Sequence, residues 1–336
     1  VKELLSLGIQ PDILVCRTDS PLTEDIRRKI ALFCNVEEDC VIANTTASTL
    51  YQVPLLLEQE GLCAVVCRKL GLGSGVPDMT EWQAMVEKIL GVHRRVEIAL
   101  VGKYTGLHDA YLSVAESLFH AGTACDAKVD IRWVDSETLT EENAAQQLAG
   151  CGGVLVPGGF GDRGIEGMIA AARYARENRV PYLGICLGMQ IAVIEFARHV
   201  AGWDDADSTE FTTRTAHPVI DLMPEQVGVT AKGGTMRLGR YPCVLAEGSR
   251  ARAAYGTAEV FERHRHRYEF NNQFRTELEE AGLRLSGLSP DRQLVEIVEE
   301  PGHPWFVGCQ FHPEFLSRPD RPHPLFWGFV AAALEK

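Results

Sequence analysis

The sequence has no long hydrophobic run and no excess of positive charge. Its longest apolar candidate, residues 180–200, is interrupted by Pro181, Gln190, Glu195 and Arg198, whereas a membrane-spanning helix needs about 18 apolar residues. Lys and Arg total 33 against 46 Asp and Glu, which gives a net charge of −13. Because nonspecific binding to nucleic acid or to an anionic membrane surface needs a basic face, we expect neither as a partner.

Internal repeats, low-complexity tracts and a phosphate-binding loop of the form G-x-x-x-x-G-K-[ST] are absent too. With 46% hydrophobic and 24% charged residues over 336 positions, the composition is that of a globular protein of about two domains. The ten cysteines are scattered singly, and the close pairs Cys34/Cys40 and Cys63/Cys67 lack a second pair at zinc-ribbon spacing. We therefore expect mostly buried, reduced thiols in a cytoplasmic protein.

Three segments are predicted along the chain. Residues 1–68 contain short apolar runs around one helical stretch, which is too little for a complete domain. Residues 69–93 join a Gly-rich stretch to one helix near 79–90, which is typical of a linker. Residues 94–336 begin with apolar strands that alternate with helices, and this alternation predicts an α/β fold whose parallel sheet has helices on both faces.

Caps and strand ends locate the predicted elements more closely. Asp109 is expected to cap a helix over residues 109–121, and Thr140 a short helix with Glu141 and Glu142 in its first turn. Active sites in open α/β sheets lie at the carboxyl ends of strands, so the segments after each strand are the ones to search. Buried strands are predicted at residues 96–101, 131–134, 153–156 and 180–185.

One cysteine follows a predicted strand and opens a helix. In the run GICLG at residues 184–188, Cys186 has glycine two positions before and two positions after it, unlike any other cysteine. This spacing is typical of a nucleophile elbow, with a thiol in place of the usual hydroxyl. The turn leaves no room for flanking side chains, and a helix N-terminus stabilises a thiolate. A buried cysteine at a Gly-rich strand end is the alternative.

A thiolate nucleophile needs a base, and four of the ten histidines stand in His-Pro pairs. Only His312 among them has a carboxylate two residues on, Glu314, and directly follows a largely apolar run, residues 305–311. A histidine oriented by its own neighbouring carboxylate provides both base and orienting group, and Pro313 stiffens the pair. A solvated histidine in a turn is the alternative, but the presence of Cys186 favours the catalytic interpretation.

Two further runs carry candidate functional groups. Negative charge that develops on an acyl oxygen needs N–H donors, which Leu187 and the glycine loop at residues 158–161 can supply. The run RHRHRYE at residues 263–269 alternates with period two, so a strand would place its arginines and histidines on opposite faces. A solvated edge strand explains that run equally well. A metal site at His264 and His266 lacks a third ligand, and no metal site is expected in this chain.

Four of these runs together resemble the CTP synthase family, which belongs to the class I (triad) glutamine amidotransferases. The elbow and the His-Pro-Glu are common to the whole class, whereas the RHRHRYE run is particular to CTP synthases. The four runs are PGGFG at residues 157–161, GICLGMQ at 184–190, RHRHRYEFN at 263–271 and FHPEF at 311–315.

Other runs extend this resemblance over essentially the whole chain. DSTEF at residues 207–211 is particular to CTP synthases, and GIQPD at 8–12 and KIALFC at 29–34 are similar to the end of their synthetase domain. The resemblance implies a flavodoxin-like parallel sheet with flanking helices for the glutaminase domain at 94–336. It also implies that residues 1–68 are the last part of a P-loop-type synthetase domain.

The resemblance implies roles for individual residues as well. Cys186 corresponds to the nucleophile, and His312 and Glu314 complete the triad. Gly159 and Leu187 correspond to the oxyanion donors. The glutamine-binding set is Gly159, Leu187, Gly188, Met189, Gln190, Glu210 and Arg267. The nucleotide-contacting residues (UTP, CTP or ATP) are Lys29 and Phe33, and those near the activator GTP are Phe160 and Arg163.

The family makes CTP from UTP, ATP and L-glutamine, with Mg²⁺ and with GTP as activator, and it forms homotetramers. The resemblance therefore implies these ligands, with no cofactor for glutamine hydrolysis itself. The family's ATP-binding loop and metal carboxylates would lie upstream of Val1, and NTTA at residues 44–47 stands where the family usually has an acidic residue that contacts nucleotide. We therefore expect glutamine hydrolysis, and no CTP synthesis, from this chain alone.

Two alternatives remain open. A γ-glutamyl hydrolase or peptidase of the same fold would keep the elbow and a histidine but would not need the RHRHRYE run. A regulatory or filament-forming module would need no intact triad, and an assay of glutamine hydrolysis separates it from an enzyme.

Overall fold

The computed structural model describes residues 1–73, 75–212, 214–223 and 236–336. The chain divides into two compact units, Val1–Gly91 and Val92–Lys336. Within the described ranges, no helix combines the length and the apolar character needed to pass through a membrane. All ten cysteines are described, none forms a disulfide, and five are buried, so the expectation of mostly buried thiols holds for half of them.

The N-terminal unit contains a two-stranded parallel sheet with short helices around it. Its strands are β1 (Leu14–Thr18) and β2 (Val41–Thr45), which pair in parallel along their whole length. The last helix of this unit, Thr80–Gly91, begins and ends within one residue of the helix predicted near 79–90. The helices are α1 (Lys2–Ser6), α2 (Glu24–Cys34), α3 (Val53–Gln59), α4 (Leu62–Leu70) and α5 (Thr80–Gly91).

The C-terminal unit is built on a large sheet. Its strands are β3 (Arg94–Gly102), β4 (Ala127–Asp135), β5 (Gly153–Val156), β6 (Tyr182–Ile185), β7 (Asp207–Ser208), β8 (Pro218–Leu222), β9 (Arg237–Leu245), β10 (Glu259–His266), β11 (Tyr268–Phe270), β12 (Arg284–Leu288), β13 (Val295–Glu299) and β14 (Phe306–Cys309). Its helices are α6 (Leu112–Ala124), α7 (Glu141–Gln147), α8 (Ile165–Glu177), α9 (Leu187–His199), α10 (Arg250–Tyr255), α11 (Arg275–Glu280) and α12 (Pro324–Leu334).

The strand order confirms the predicted fold class and extends it. Strands β4-β3-β5-β6-β14 are parallel neighbours, which is the 2-1-3-4-5 order of flavodoxin-like sheets. The sheet then continues as antiparallel β13-β12-β9-β10, and a small separate sheet has the order β11-β8-β7. The pairing of this antiparallel half was not predicted: β9–β10, β12–β13 and β13–β14 are consecutive strands, whereas β9 and β12 pair across a long stretch of sequence.

Alternate residues of the parallel strands face two hydrophobic cores. In β3, Ala99 and Val101 belong to the core that includes α8 and α9, whereas Ile98 and Leu100 belong to the core that includes α6 and α12. All four residues are fully buried. Burial on both faces explains why these strands are continuous apolar runs in the sequence.

One predicted helix cap is wrong and one is right. A 3₁₀ turn at His108–Tyr111 contains Asp109, and α6 begins only at Leu112 without a side-chain cap. The hydroxyl of the buried Tyr111 accepts the N–H of Lys103 at 3.0 Å, so this anchor sets the helix start in place of Asp109. Thr140 does cap α7, by accepting a hydrogen bond from the N–H of Asn143 in a capping box.

Candidate functional site

Four strand ends meet at one edge of the sheet and bring the candidate residues together. Lys103 follows β3, Gly158 follows β5, Cys186 follows β6 and His312 follows β14. This edge lies at the carboxyl ends of the parallel strands, where ligands bind in open α/β sheets. A cavity of about 330 Å³ opens there, and its lining includes Gly158, Cys186, His312 and Glu314.

Cys186 occupies a strained turn between β6 and α9. Its φ of +50° and ψ of −99° are unfavourable for a residue with a side chain. A methyl group on Gly184 would lie 2.4 Å from the carbonyl oxygen of Gly188, and one on Gly188 would lie 2.1 Å from that of Val156. Both flanking glycines are therefore required by backbone contacts, as the spacing of the elbow predicts.

The Cys186 side chain is 4% exposed and stands at the N-terminus of α9. Its Sγ lies 3.6 Å from Nε2 of Gln310 and 4.0 Å from the carbonyl oxygen of Arg265. A donor amide and the positive end of a helix both favour the thiolate over the thiol.

His312 contacts the carboxylate two residues on. Its Nδ1 lies 2.8 Å from Oε1 of Glu314, and its backbone N–H donates to the carbonyl of Arg263 at 2.8 Å. Burial disfavours a charge on His312, but the Cys186 sulfur and the Glu314 carboxylate outweigh it and raise the pKa of His312 to about 10. The imidazole is therefore charged at neutral pH in this arrangement.

Gly158, the first residue of the glycine loop, lies directly beside His312. A methyl group there would lie 3.0 Å from Cε1 of His312 and 3.6 Å from Cβ of Cys186. His312 and Cys186 thus approach the same point of the backbone after β5. A side chain at position 158 would occupy the space between the loop and the histidine ring.

The glycine loop is held from two sides. Nζ of Lys103, which is 4% exposed, donates to the carbonyl of Phe160 at 3.0 Å and also to the carbonyl of Gly161. Burial lowers the pKa of Lys103, and Glu210 opposes that effect. Oε1 of Glu210 in turn accepts the N–H of Gly161 at 2.9 Å. Gly159 directly precedes these contacts, and a methyl group there would lie 3.1 Å from Cδ2 of Leu187.

Four of the seven residues expected to bind glutamine form the first turn of α9. Leu187, Gly188, Met189 and Gln190 are all buried. The carbonyl of Gly188 accepts the Tyr182 hydroxyl at 2.7 Å. The other residues expected to bind glutamine, Gly159, Glu210 and Arg267, lie in other parts of the chain.

Glu210 and Arg267 both act electrostatically on the half-buried Tyr268. Burial raises the pKa of the Tyr268 hydroxyl, Glu210 raises it further, and Arg267 lowers it. Arg267 is half-buried in the bend between β10 and β11, where its carbonyl accepts the N–H of Met223 at 2.9 Å. The two residues expected to bind the ends of glutamine therefore both lie within electrostatic range of the Tyr268 hydroxyl.

Phe160 and Arg163, the residues expected near GTP, flank the same loop. Phe160 is 45% exposed and lies 5.7 Å under the guanidinium of Arg265. Arg163 pairs with Glu137 and donates to the carbonyl of Lys103 at 3.0 Å. Phe160 lies at the rim of the cavity and Arg163 lies beside it, and both side chains are exposed.

Lys29 and Phe33, the residues expected to contact nucleotide, lie in the N-terminal unit. They are four residues apart on α2, and both are exposed, Phe33 to 83%. Their nucleotide role stays a prediction.

The RHRHRYE run covers the end of the edge strand β10, the bend at Arg267 and the start of β11. Arg263 and Arg265 are exposed, and His264 and His266 are buried, so both the predicted alternation and the edge position are found. The two histidine nitrogens lie 3.1 Å apart, and Nη1 of Arg237 contacts them at 3.2 and 3.4 Å. Burial lowers the pKa of His266 to about 3, and Arg237 adds to this effect. A cation already occupies the space that a metal would need.

Potential metal ligands also cluster in the N-terminal unit. Within the described ranges, the group with suitable spacing is Glu37, Asp39 and Cys40. Arg68 pairs with both carboxylates, and Lys69 pairs with Glu37 at 2.9 Å. These residues do not fit a Mg²⁺ site, because their charge is already neutralised.

Two residues of the site were missed by the sequence analysis. Lys103 directly follows a predicted strand, so the strand-end rule alone points to it. Gln310 is a polar residue in the otherwise apolar run that precedes His312, and this interruption of the run is the signal. Neither belongs to a motif that a local pattern identifies.

Comparison with known proteins identifies the class to which this fold and site correspond. Residues 107–332 match the family of class I glutamine amidotransferases, and residues 1–72 match the CTP synthase N-terminus. The chain therefore belongs to the class I glutamine amidotransferase family.

Its similarity to CTP synthases extends over its whole length. The chain is 58% identical over 336 residues to the CTP synthases of Moorella thermoacetica and Halalkalibacterium halodurans, of which it spans 62% and 63%. It is also 42% identical to the glutaminase domain of a Trypanosoma brucei CTPS solved with bound acivicin. That match has a TM-score of 0.68 and covers 72% of this chain and 94% of the other.

Proposed function

We propose that this chain hydrolyses L-glutamine to glutamate and ammonia, with Cys186 as nucleophile, His312 as acid and base, and Glu314 as the residue that orients His312. The observation that supports this most directly is the 2.8 Å contact between His312 and Glu314 in a cavity that also contains the strained Cys186. Membership of the class I glutamine amidotransferases supports the same chemistry.

The first half-reaction forms a thioester on Cys186. The thiolate adds to the carbon of the side-chain amide, and the electron pair of the C=O bond moves to oxygen, where the N–H groups of Gly159 and Leu187 stabilise it. His312 then protonates the amide nitrogen, the C–N bond breaks and ammonia leaves. The raised pKa of His312 suits this step, because the donor proton is present at neutral pH.

The second half-reaction releases glutamate. His312, now neutral, accepts a proton from water while the water oxygen adds to the thioester carbon. The C–S bond breaks, and the Cys186 thiolate and the charged imidazole are restored. One water is consumed and one ammonia released for each glutamine.

Selection of free glutamine needs opposite charges at a fixed separation. The α-ammonium group would bind Glu210 and the α-carboxylate would bind Arg267, whose guanidinium can donate two parallel hydrogen bonds. A glutamine within an ordinary peptide chain lacks this pair of free charges, because both of its α groups are amide-bonded, whereas an N-terminal γ-glutamyl residue keeps them. The two positions therefore favour free glutamine over glutamine within a peptide chain, and the turnover of a γ-glutamyl peptide has to be measured separately.

The ammonia would serve the amination of UTP to CTP, as the relatives' name indicates. The chain spans about three fifths of the length of those relatives, and the ATP- and Mg²⁺-dependent steps are not assigned to its residues. Lys29 and Phe33 would contact nucleotide, and Phe160 and Arg163 would lie near the activator GTP. Oligomerisation as in the family is part of the same proposal.

Glutamine hydrolysis by the purified chain tests the proposal. Cys186→Ala is expected to abolish ammonia release, whereas Cys151→Ala, which changes another buried cysteine, is expected to retain it. A diazoketone analogue of glutamine should form an adduct on Cys186, identified by peptide mass spectrometry. Labelling of a different cysteine, or equal turnover of a γ-glutamyl peptide, would contradict the assignment.

A further inference from the structure

Gln310 contacts the sulfur of Cys186 from the end of β14. The side chain is 1% exposed, and its Nε2 lies 3.6 Å from Sγ, within hydrogen-bonding range for sulfur. The backbone N–H of Gln310 donates to the carbonyl of Glu296 at 2.8 Å, which fixes the residue to the neighbouring strand. The amide thus stands beside the nucleophile on rigid backbone.

The neighbouring amide determines which end of Gln310 faces the sulfur. Nε2 of Gln190 donates to the carbonyl of Tyr268 at 3.0 Å, and a carbonyl can only accept, so the nitrogen of Gln190 must lie on that side. The same nitrogen lies 3.3 Å from Gln310, whose oxygen must therefore face it. This leaves the Gln310 nitrogen, a donor, for Cys186.

Besides its interaction with His312, the sulfur has two polar contacts that favour different protonation states. The Arg265 carbonyl at 4.0 Å can only accept a hydrogen bond, so it favours the thiol. Gln310 at 3.6 Å donates, so it favours the thiolate. The donor is the closer of the two, and hydrogen bonds to charged groups are stronger than those between neutral groups. The closer of these two contacts of Sγ is therefore a hydrogen-bond donor.

We infer that Gln310 is a further catalytic residue, which donates a hydrogen bond to the Cys186 thiolate and is held in that orientation by Gln190. The inference rests on the proposed role of Cys186 as nucleophile. Gln310 lowers the pH at which the sulfur becomes reactive, in addition to the effects of His312 and of the α9 N-terminus. Gln190 acts through Gln310 as a positioning residue.

Alkylation of Cys186 by iodoacetamide, followed against pH, measures this effect without any glutamine turnover. Gln310→Met keeps the length of the side chain but has no N–H donor. It is expected to raise the pH midpoint of alkylation by about one to two units, since a hydrogen bond to a charged group contributes roughly that much. At pH values below the wild-type midpoint the alkylation rate would then fall about tenfold or more.

Two further variants keep the test decisive. Gln310→Glu matches the native shape closely and replaces the donor with an acceptor, so its midpoint should also rise. Gln190→Leu should produce a smaller rise, and adding it to Gln310→Met should produce no further rise. Gln147→Leu, at an exposed position, is the control and should leave the midpoint unchanged.

The outcomes separate this inference from the proposed function. An unchanged midpoint in both folded Gln310 variants, with Cys186 still alkylated selectively in the wild type, would overturn the role of Gln310 alone. Absence of selective alkylation at Cys186 in the wild type would instead overturn the assignment of the nucleophile. A raised midpoint in Gln310→Met and Gln310→Glu, but not in Gln147→Leu, supports the inference.

Discussion

Gly188 packs so tightly on Val156 that a methyl group at position 188 would lie 2.1 Å from the Val156 carbonyl oxygen. The contact joins the first turn of α9 to the end of β5, and the atom opposed is backbone, which cannot move aside. The elbow that carries Cys186 therefore depends on two strands and not on the turn alone. This relationship determines what substitutions the turn can accept.

Gly188→Ala is expected to destabilise the protein and to displace Cys186. The overpacked backbone contact should reduce the free energy of unfolding by about 1–3 kcal/mol, and glutamine hydrolysis should fall with it. Urea unfolding and an ammonia-release assay check both effects. Gly302→Ala is the matched control, because a methyl group there meets no atom within 4 Å. Equal stability of the two variants would contradict the tight contact.

The elements that the sequence predicts well are those with local signals. The run GICLG and the His-x-Glu spacing place their functional groups within a few residues of each other, so backbone geometry alone brings Glu314 to His312. The strands β5 and β6 are apolar on both faces and were predicted within two residues at each end. Such features need no knowledge of the rest of the chain.

The parts that could not be predicted depend on contacts between distant segments. Lys103 and Phe160 meet because β3 and β5 are neighbours in the sheet, although 57 residues separate them in sequence. Gln310 reaches Cys186 across 124 residues for the same kind of reason. The failed cap at Asp109 is similar, since the tertiary anchor Tyr111 overrode a local preference. Local patterns do not encode these pairings.

His312 is expected to stay protonated up to about pH 10 and to lose that property when Cys186 is removed. Its folded pKa lies above the ordinary value of 6.5, so the charged form and the stability it contributes are fully present below about pH 6.5 and are lost as pH rises through about 10. In Cys186→Ala the sulfur no longer favours the charge, and the pKa should fall. NMR titration of the imidazole resonances measures it.

The matched control for this titration is Cys151→Ala, which removes a buried cysteine outside the cavity and should leave His312 unchanged. A wild-type midpoint near 6.5 would show that the ion pair does not form. In that case His312 would act first as a base, not as a preformed acid.

Lys103→Met is expected to slow glutamine hydrolysis while leaving Cys186 reactive. Without the ammonium group, the carbonyls of Phe160 and Gly161 lose their donor, and the loop that presents the Gly159 N–H is no longer fixed. Because a missing oxyanion donor lowers kcat about 10²–10³-fold, a displaced one should lower it about tenfold or more. Steady-state kinetics should show the loss in kcat more than in KM.

A small alkylating agent separates positioning of the loop from damage to the nucleophile. Iodoacetamide needs no oxyanion donor, so Lys103→Met and wild type should be alkylated at Cys186 at similar rates. Lys128→Met, which changes an exposed lysine of β4, is the control for charge and should retain full activity. Loss of alkylation together with activity in Lys103→Met would indicate a collapsed site in place of a displaced loop.

Arg267→Lys is expected to weaken glutamine use, because lysine keeps the charge but cannot donate two parallel hydrogen bonds to the α-carboxylate. Arg267→Ala should reduce kcat/KM more than tenfold, since truncation of a desolvated charge contact costs about 2–5 kcal/mol. Glutamine hydrolysis at varied substrate concentration measures both variants, and alkylation of Cys186 should remain near wild type in each.

The control for Arg267 comes from the same run of sequence. Arg265 lies over Phe160 and lines the cavity with Cys186, so its substitution is not neutral. Arg263 is exposed on the same strand and does not line that cavity, so Arg263→Lys should change the free energy of activation by no more than about half a kcal/mol. If Arg267→Lys matches wild type in both KM and kcat, the guanidinium does not bind the substrate carboxylate, and the RHRHRYE run serves only as a charged sheet edge.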